Sequence, residues 1–130
     1  MAEQEFPATV TAPAHARQFA AEALDGLLGR TVPAGLLDDV QLVVSELVTN
    51  AVRAGSPAVR LAISLAEEGR LTIRVTDAAD GWPRPRDAAT EDPGGRGLAL
   101  VSAIAASWGA DTDGTGTTTK TVWAELAVPV

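Results

Sequence analysis

The 130-residue chain predicts an α/β domain of the α+β kind: a two-layer sandwich in which a mixed, mostly antiparallel sheet of four to five strands carries three helices on one face. Three observations lead there. Apolar residues recur at helical spacing over two long stretches in the first half, and the period then switches to two between residues 59 and 76. The elements follow the order β-α-α-β-β-α-β-β, in which hairpins demand antiparallel pairing and the helices need a common sheet face to bury against.

Residues 5 to 11 (EFPATVT) form a short edge strand, because an edge position tolerates the missing N–H of Pro7. Pro13 opens a helix over 13 to 28, with Ala16, Phe19, Ala20, Ala23, Leu24 and Leu27 at helical spacing. LGRTVP breaks it. A second helix over 34 to 54 places Leu36, Leu37, Val40, Val44, Leu47, Val48 and Ala51 on one face and stops at Gly55 to Pro57. Val59, Leu61, Ile63 and Leu65 then alternate with smaller or polar residues, EEGR turns, and Leu71, Ile73 and Val75 alternate with Thr72, Arg74 and Thr76. Residues 78 to 93, rich in Pro, Asp and Arg, have no periodicity and read as a long loop, which in a compact domain tends to be functional. A third helix over 96 to 107 and two strands near 109 to 113 and 119 to 128 complete the chain.

The bulk properties narrow the class. A length of 130 residues with 46% hydrophobic content suits one domain, residues 1 to 130, with a core that needs no cross-links. There are no cysteines, no basic head followed by an apolar stretch near the start, and no apolar run long enough to cross a bilayer, so a soluble cytoplasmic protein is expected. The net charge of −7 argues against a general nucleic-acid binder, which needs a basic surface to displace counterions. It leaves room for a small anionic ligand held by a cation and backbone N–H groups.

Several residue sets could carry chemistry. In SELVTNAVR (45 to 53), Asn50 sits deep in a helical run although its short amide competes for backbone groups. On a wheel of about 100° per residue, Glu46, Asn50, Asp39 and Arg53 share the margin of the apolar arc, a polar edge that either meets water or borders a pocket. Asp77 continues the inward phase of Leu71, Ile73 and Val75, so its carboxylate either caps the following turn or accepts from a ligand between sheet and helices. In DPGGRGLALV (92 to 101), glycines just before a helix would let a phosphate approach the helix N-terminus closely. A dinucleotide fingerprint fits poorly, because the third glycine and the preceding strand are missing. GTGTTTKT (114 to 121) approaches a P-loop but runs into the strand pattern VWAELAV rather than a helix, and reads as a hairpin turn. His15 has no Cys or second His to make a metal site, and Arg84 and Arg86 are loop cations.

These pieces occur in one order: E-L-V-T-N-A on a helix, D-A-A-D-G after a strand, G-G-R-G-L opening a helix, and a Gly/Thr-rich turn into T-V-W. That order resembles the Bergerat-fold ATP-binding domain of gyrase, chaperone and histidine-kinase ATPases, and more closely the stand-alone bacterial anti-sigma-factor serine kinases and their short actinobacterial relatives. The likeness runs from about Ala12 to Leu126. It implies an ATP-binding, magnesium-dependent serine/threonine-protein kinase, a transferase that acts as an anti-sigma factor in transcription regulation. Its partners would be a sigma factor and an anti-sigma antagonist protein, with a homodimer left open and no contact with nucleic acid or membrane.

By that resemblance Asn50 would offer its amide oxygen to Mg²⁺ and Glu46 would be the general base. Asp77 would accept from adenine's exocyclic amine. Gly81 and the turn Gly95, Arg96, Gly97 and Leu98 would complete the ATP site, under a lid drawn from about 78 to 95. Three positions depart from the family pattern: Ala79 replaces the first glycine of D-x-G-x-G, Ala54 replaces a basic residue, and Lys120 takes the place of a threonine, for which Thr121 would substitute. The alternative is a degenerate, non-catalytic protein-binding regulator of the same fold.

Overall fold

The structure, a computed structural model, describes residues 1–77, 93–112 and 120–129, with the side chains of residues 93–97 and 112 outside that description. Its elements are β1 (Ala2–Pro7), α1 (Ala12–Leu28), α2 (Ala34–Arg53), β2 (Ala58–Leu65), β3 (Arg70–Asp77), α3 (Pro93–Ile104), β4 (Ser107–Thr112) and β5 (Lys120–Ala127). The strands form one five-stranded sheet in the order β1-β2-β3-β5-β4. Every neighbouring pair is antiparallel, so the sheet is not mixed.

Alternation decides which face the helices cover. Val59, Leu61 and Ile63 of β2, Leu71, Ile73 and Val75 of β3, and Val122, Ala124 and Leu126 of β5 are buried, whereas Arg60, Arg74 and Trp123 between them are not. The register puts like with like: Leu61 opposes Val75, Val75 opposes Val122, and Ile73 lies between Ile63 and Ala124. Inward rows therefore run unbroken across the three central strands, and α1 and α2 pack onto them.

α2 is the middle helix, packed against α1 and α3 as well as the sheet. This is why its buried set is wide, with Val43 and Val44 both fully covered. α1 buries small residues, Ala12, Ala16, Ala20 and Ala23, and ends at Gly29 in the left-handed region with φ 64°, whose N–H donates to the Asp25 carbonyl. Phe6 of β1 and Phe19 of α1 pack edge to face with ring centroids 6.1 Å apart, which pins the edge strand to the helix layer.

Two elements differ by three residues or more from the sequence expectation. β1 starts at Ala2 and ends at Pro7, where proline stops the ladder at the edge. α3 begins at Pro93 and ends at Ile104, three residues earlier at each end than the apolar period suggests. Proline is preorganised for the first helical position, which carries the start backward. At the other end Ala105 N–H still donates to the Val101 carbonyl, but Ala106 N–H turns to the Glu125 carbonyl, and that sheet bond draws the next residues into β4.

Candidate functional site

The four motif segments come from separate parts of the chain, and the topology gathers their ends. α2 is joined to β2 by four residues only, so the C-terminal turns of α2, with Asn50, stand over the start of β2. Val59 at that start is the register partner of Asp77, and Asp77 in turn opposes Lys120. Asn50, Asp77 and Lys120 thus share one end of the sandwich. The far end gives the same answer: Gly35, Leu36 and Asp39 of α2 line a cleft together with Leu126 and Ala127 of β5, so the opposite tip of β5, Lys120, lies where α2 finishes.

α3 arrives at the same end. Ile104, its last residue, lines that far cleft beside the first turns of α2, and the two helices pack along one another. From Ile104 back to Pro93 the helix rises about 16 Å at 1.5 Å per residue. An equal climb along α2 from Leu36 or Asp39 reaches Leu47 to Asn50. The N-terminal turn of α3, which contains Gly95, Arg96 and Gly97 as helical backbone, therefore comes level with the Glu46–Asn50 stretch, and its N–H groups are those a helix leaves for an anion.

Glu46 and Asn50 are half-buried on the polar margin of α2, one turn apart. Asp39, on the same stripe, is exposed and belongs to the far cleft, so it is separated from them along the helix. Asp77 is buried, at 4% exposure, and so is Lys120, at 6%; with Ser56 they are the buried polar residues among those described. Both engage interaction partners. Ser56 donates to the Ala58 carbonyl at 2.5 Å and stiffens the connection that sets the height of α2 above Val59 and Asp77.

A brace not foreseen from the sequence lies next to Glu46. Arg17 Nη1 of α1 donates to Ser45 Oγ at 2.9 Å, Ser45 Oγ donates to the Gln41 carbonyl at 2.8 Å, and Gln41 Nε2 donates to the Arg17 carbonyl at 3.3 Å. The loop locks α1 to α2 one residue before the proposed base. Only the spacing of Gln41 and Ser45, four apart on one helix, hints at it in the sequence.

Thr121 is a correction. Strand alternation sends Lys120 and Val122 inward and Thr121 outward, where its Oγ1 is 2.8 Å from Thr76 Oγ1 on the uncovered face. Its hydroxyl therefore lies on the opposite face of the sheet from the Asp77 carboxylate. Leu98 is half-buried against the core on α3. Gly81, Ala79, Arg84, Arg86 and the lid expected within 78 to 95 fall outside the described residues up to Glu91 and Asp92, as does the turn at 113–119. Ala54 caps α2 as a plain helical residue, its N–H donating to the Asn50 carbonyl at 3.0 Å.

Among the described residues no group of three His, Cys, Asp or Glu could cage a metal. The amide oxygen of Asn50 could instead serve Mg²⁺, an ion that keeps most of its water and takes one or two protein oxygens.

A five-stranded antiparallel sheet under three helices defines a two-layer α+β sandwich. The chain belongs to the histidine kinase-like ATPase domain family, whose model matches residues 6–123. No curated protein matches it significantly. Its fold is similar to that of a chain in the SiaB-SiaC complex from Pseudomonas aeruginosa (TM-score 0.67, 13% identity, covering 97% of this chain and 90% of that one). It is also similar to the histidine kinase domain of a blue-light activated histidine kinase from Erythrobacter litoralis EL346 (TM-score 0.60, 21% identity, 95% of this chain and 62% of that one). A third solved structure, the Acinetobacter baumannii histidine kinase AdeS, has a TM-score of 0.56 at 14% identity over 100% of this chain and 69% of its own. Among the described residues no helix is long and apolar enough to cross a membrane.

Proposed function

We propose that the chain is a cytoplasmic ATP-binding regulator that transfers the γ-phosphate of Mg·ATP to a serine or threonine of a partner protein, as an anti-sigma factor phosphorylates its antagonist. The observation that carries this reading is the meeting of Asn50, Asp77 and the N-terminus of α3 at one end of the sheet. Membership of the ATPase family supports the nucleotide, and the fold it shares with a chain from a two-protein complex supports a protein partner. A sigma factor as alternative partner, and pairing of two copies of this chain, belong to the same proposal.

The chemistry asked of the protein is mainly positioning and charge neutralisation. Asp77, inside the sheet's end, would accept from the exocyclic amine of adenine and fix the base. The first N–H groups of α3 would face the phosphates, with Arg96 carried on the same turn. Asn50 would hold Mg²⁺, which would supply charge neutralisation at the phosphates. Glu46, one turn before Asn50, would take the proton from the attacking hydroxyl, provided that hydroxyl enters within hydrogen-bond reach.

Calorimetric titration with Mg·ATP tests the first step: a defined affinity is expected, and no heat at millimolar nucleotide would refute it. Transfer of radiolabelled phosphate to a partner tests the second. Glu46→Ala should keep nucleotide binding and lose phosphoprotein formation. A second reading, a non-catalytic protein-binding member of the family, draws on the buried cation at Lys120, the register partner of Asp77. It predicts no nucleotide heat and undiminished partner binding.

A further inference from the structure

Lys120 is a buried cation at the functional end for which the proposed chemistry has no use. It sits on the helix-covered face, in phase with Val122 and Ala124, and its register partner is Asp77. Directly opposed residues on one face of an antiparallel pair have Cβ atoms about 5 Å apart. Their Cβ atoms therefore lie side by side across the strands, at the last β3–β5 pair among the described residues. A carboxylate only accepts hydrogen bonds and an ammonium only donates them, so the rung presents an acceptor and a donor side by side. Their opposite charges also lower the cost of burying either one.

A flat ligand edge laid across those strand ends meets both groups at once, and it fits only if it carries a donor next to an acceptor. The edge of adenine does: the exocyclic amine at C6 donates and the adjacent ring nitrogen N1 accepts. Guanine presents the reverse order, a carbonyl at C6 and an N–H at N1, and in the same seating would turn its carbonyl toward the carboxylate. We propose that Lys120 is a specificity-determining residue that donates to N1 of adenine while Asp77 accepts from the neighbouring amine. This rests on the nucleotide reading above, which it deepens by giving the base a second contact.

The test varies the ligand and the protein together. Binding of Mg·ATP and of the 1-deaza analogue, in which a C–H replaces N1, is measured by calorimetry on the wild-type chain, Lys120→Met and Lys120→Gln, with each variant's fold checked by circular dichroism. The wild type should prefer ATP by roughly tenfold or more, the scale of a hydrogen bond from a charged donor. Lys120→Met should bind the two nucleotides nearly equally, and Lys120→Gln, which keeps an N–H donor, should retain part of the preference. Equal binding of both nucleotides by the wild type overturns the assignment without touching the function, and this arm needs no variant to fold. A preference that survives in Lys120→Met overturns it too, as does an equal loss for both nucleotides, which would put the ammonium on another part of the ligand. If the wild type binds neither nucleotide, the function itself fails.

Discussion

Asp77 illustrates how much a single polar group can be worth where water is scarce. Asp77 has 4% of its surface exposed, so any ligand donor it meets replaces little water and gains a charge-assisted bond. Changing it to Asn keeps the shape but turns half the acceptor into a donor. Asp77→Asn should lower ATP affinity by about 1.5–3 kcal/mol, measured by calorimetry, with the melting temperature reporting separately on its effect on the fold. Asn50→Ala should abolish the magnesium dependence of ATP binding while leaving metal-free binding little changed. The brace from Arg17 to Ser45 predicts a third pattern: Ser45→Ala, by removing the contact that orients the turn before Glu46, should slow phosphate transfer more than it weakens nucleotide binding.

At the scale of elements, the β2–β3 hairpin shows local chemistry setting register. Gly69 has φ 81° and its N–H donates to the Ala66 carbonyl at 2.9 Å, while Ala66 N–H donates to Arg70. That four-residue loop aligns Leu65 with Leu71 and so every inward pair behind it, Val59 with Asp77 included. On the turn, Arg70 Nη2 lies 2.8 Å from Glu68 Oε1, and the hydrogen bond and charge of Arg70 hold the Glu68 carboxyl below its ordinary range. A carboxyl with a lowered folded value stabilises above its unfolded value and loses that contribution as pH falls through the folded one. The difference in melting temperature between wild type and Glu68→Gln should therefore be constant near neutrality, shrink below pH of about 4.5 and vanish in stronger acid. Being exposed, the pair should produce a small shift at any pH. On the uncovered face, the Trp123 indole lies over Gly109, where an added Cβ would come 2.7 Å from the ring. Gly109→Ala should displace the ring, change tryptophan fluorescence and destabilise by about 1–3 kcal/mol.

For the molecule as a whole, stability is concentrated in the rows shared by β2, β3 and β5 under α2. Ile73, fully buried on the central strand, should cost about 2–5 kcal/mol when cut to alanine, read as a lower urea midpoint with an unchanged slope. The proposed functional end sits at the margin of that core rather than inside it. Its groups stand near the ends of α2, β3, β5 and α3.

Periodicity in the sequence already carries the helix faces of α1 and α2, the inward phase of both hairpin strands and the shared stripe of Glu46 and Asn50, because those patterns follow from 3.6 and 2 residues per repeat. The order of motifs carries the family. What periodicity cannot carry is adjacency between segments far apart in the chain: that Asp77 opposes Lys120, that Thr121 faces away, that Asp39 belongs to the other end of α2, that Arg17 reaches Ser45. Those depend on strand register and on which end of a helix lies against which strand. They are fixed only when the apolar rows of the whole molecule are buried at once, because no local interaction along the chain distinguishes one end of α2 from the other.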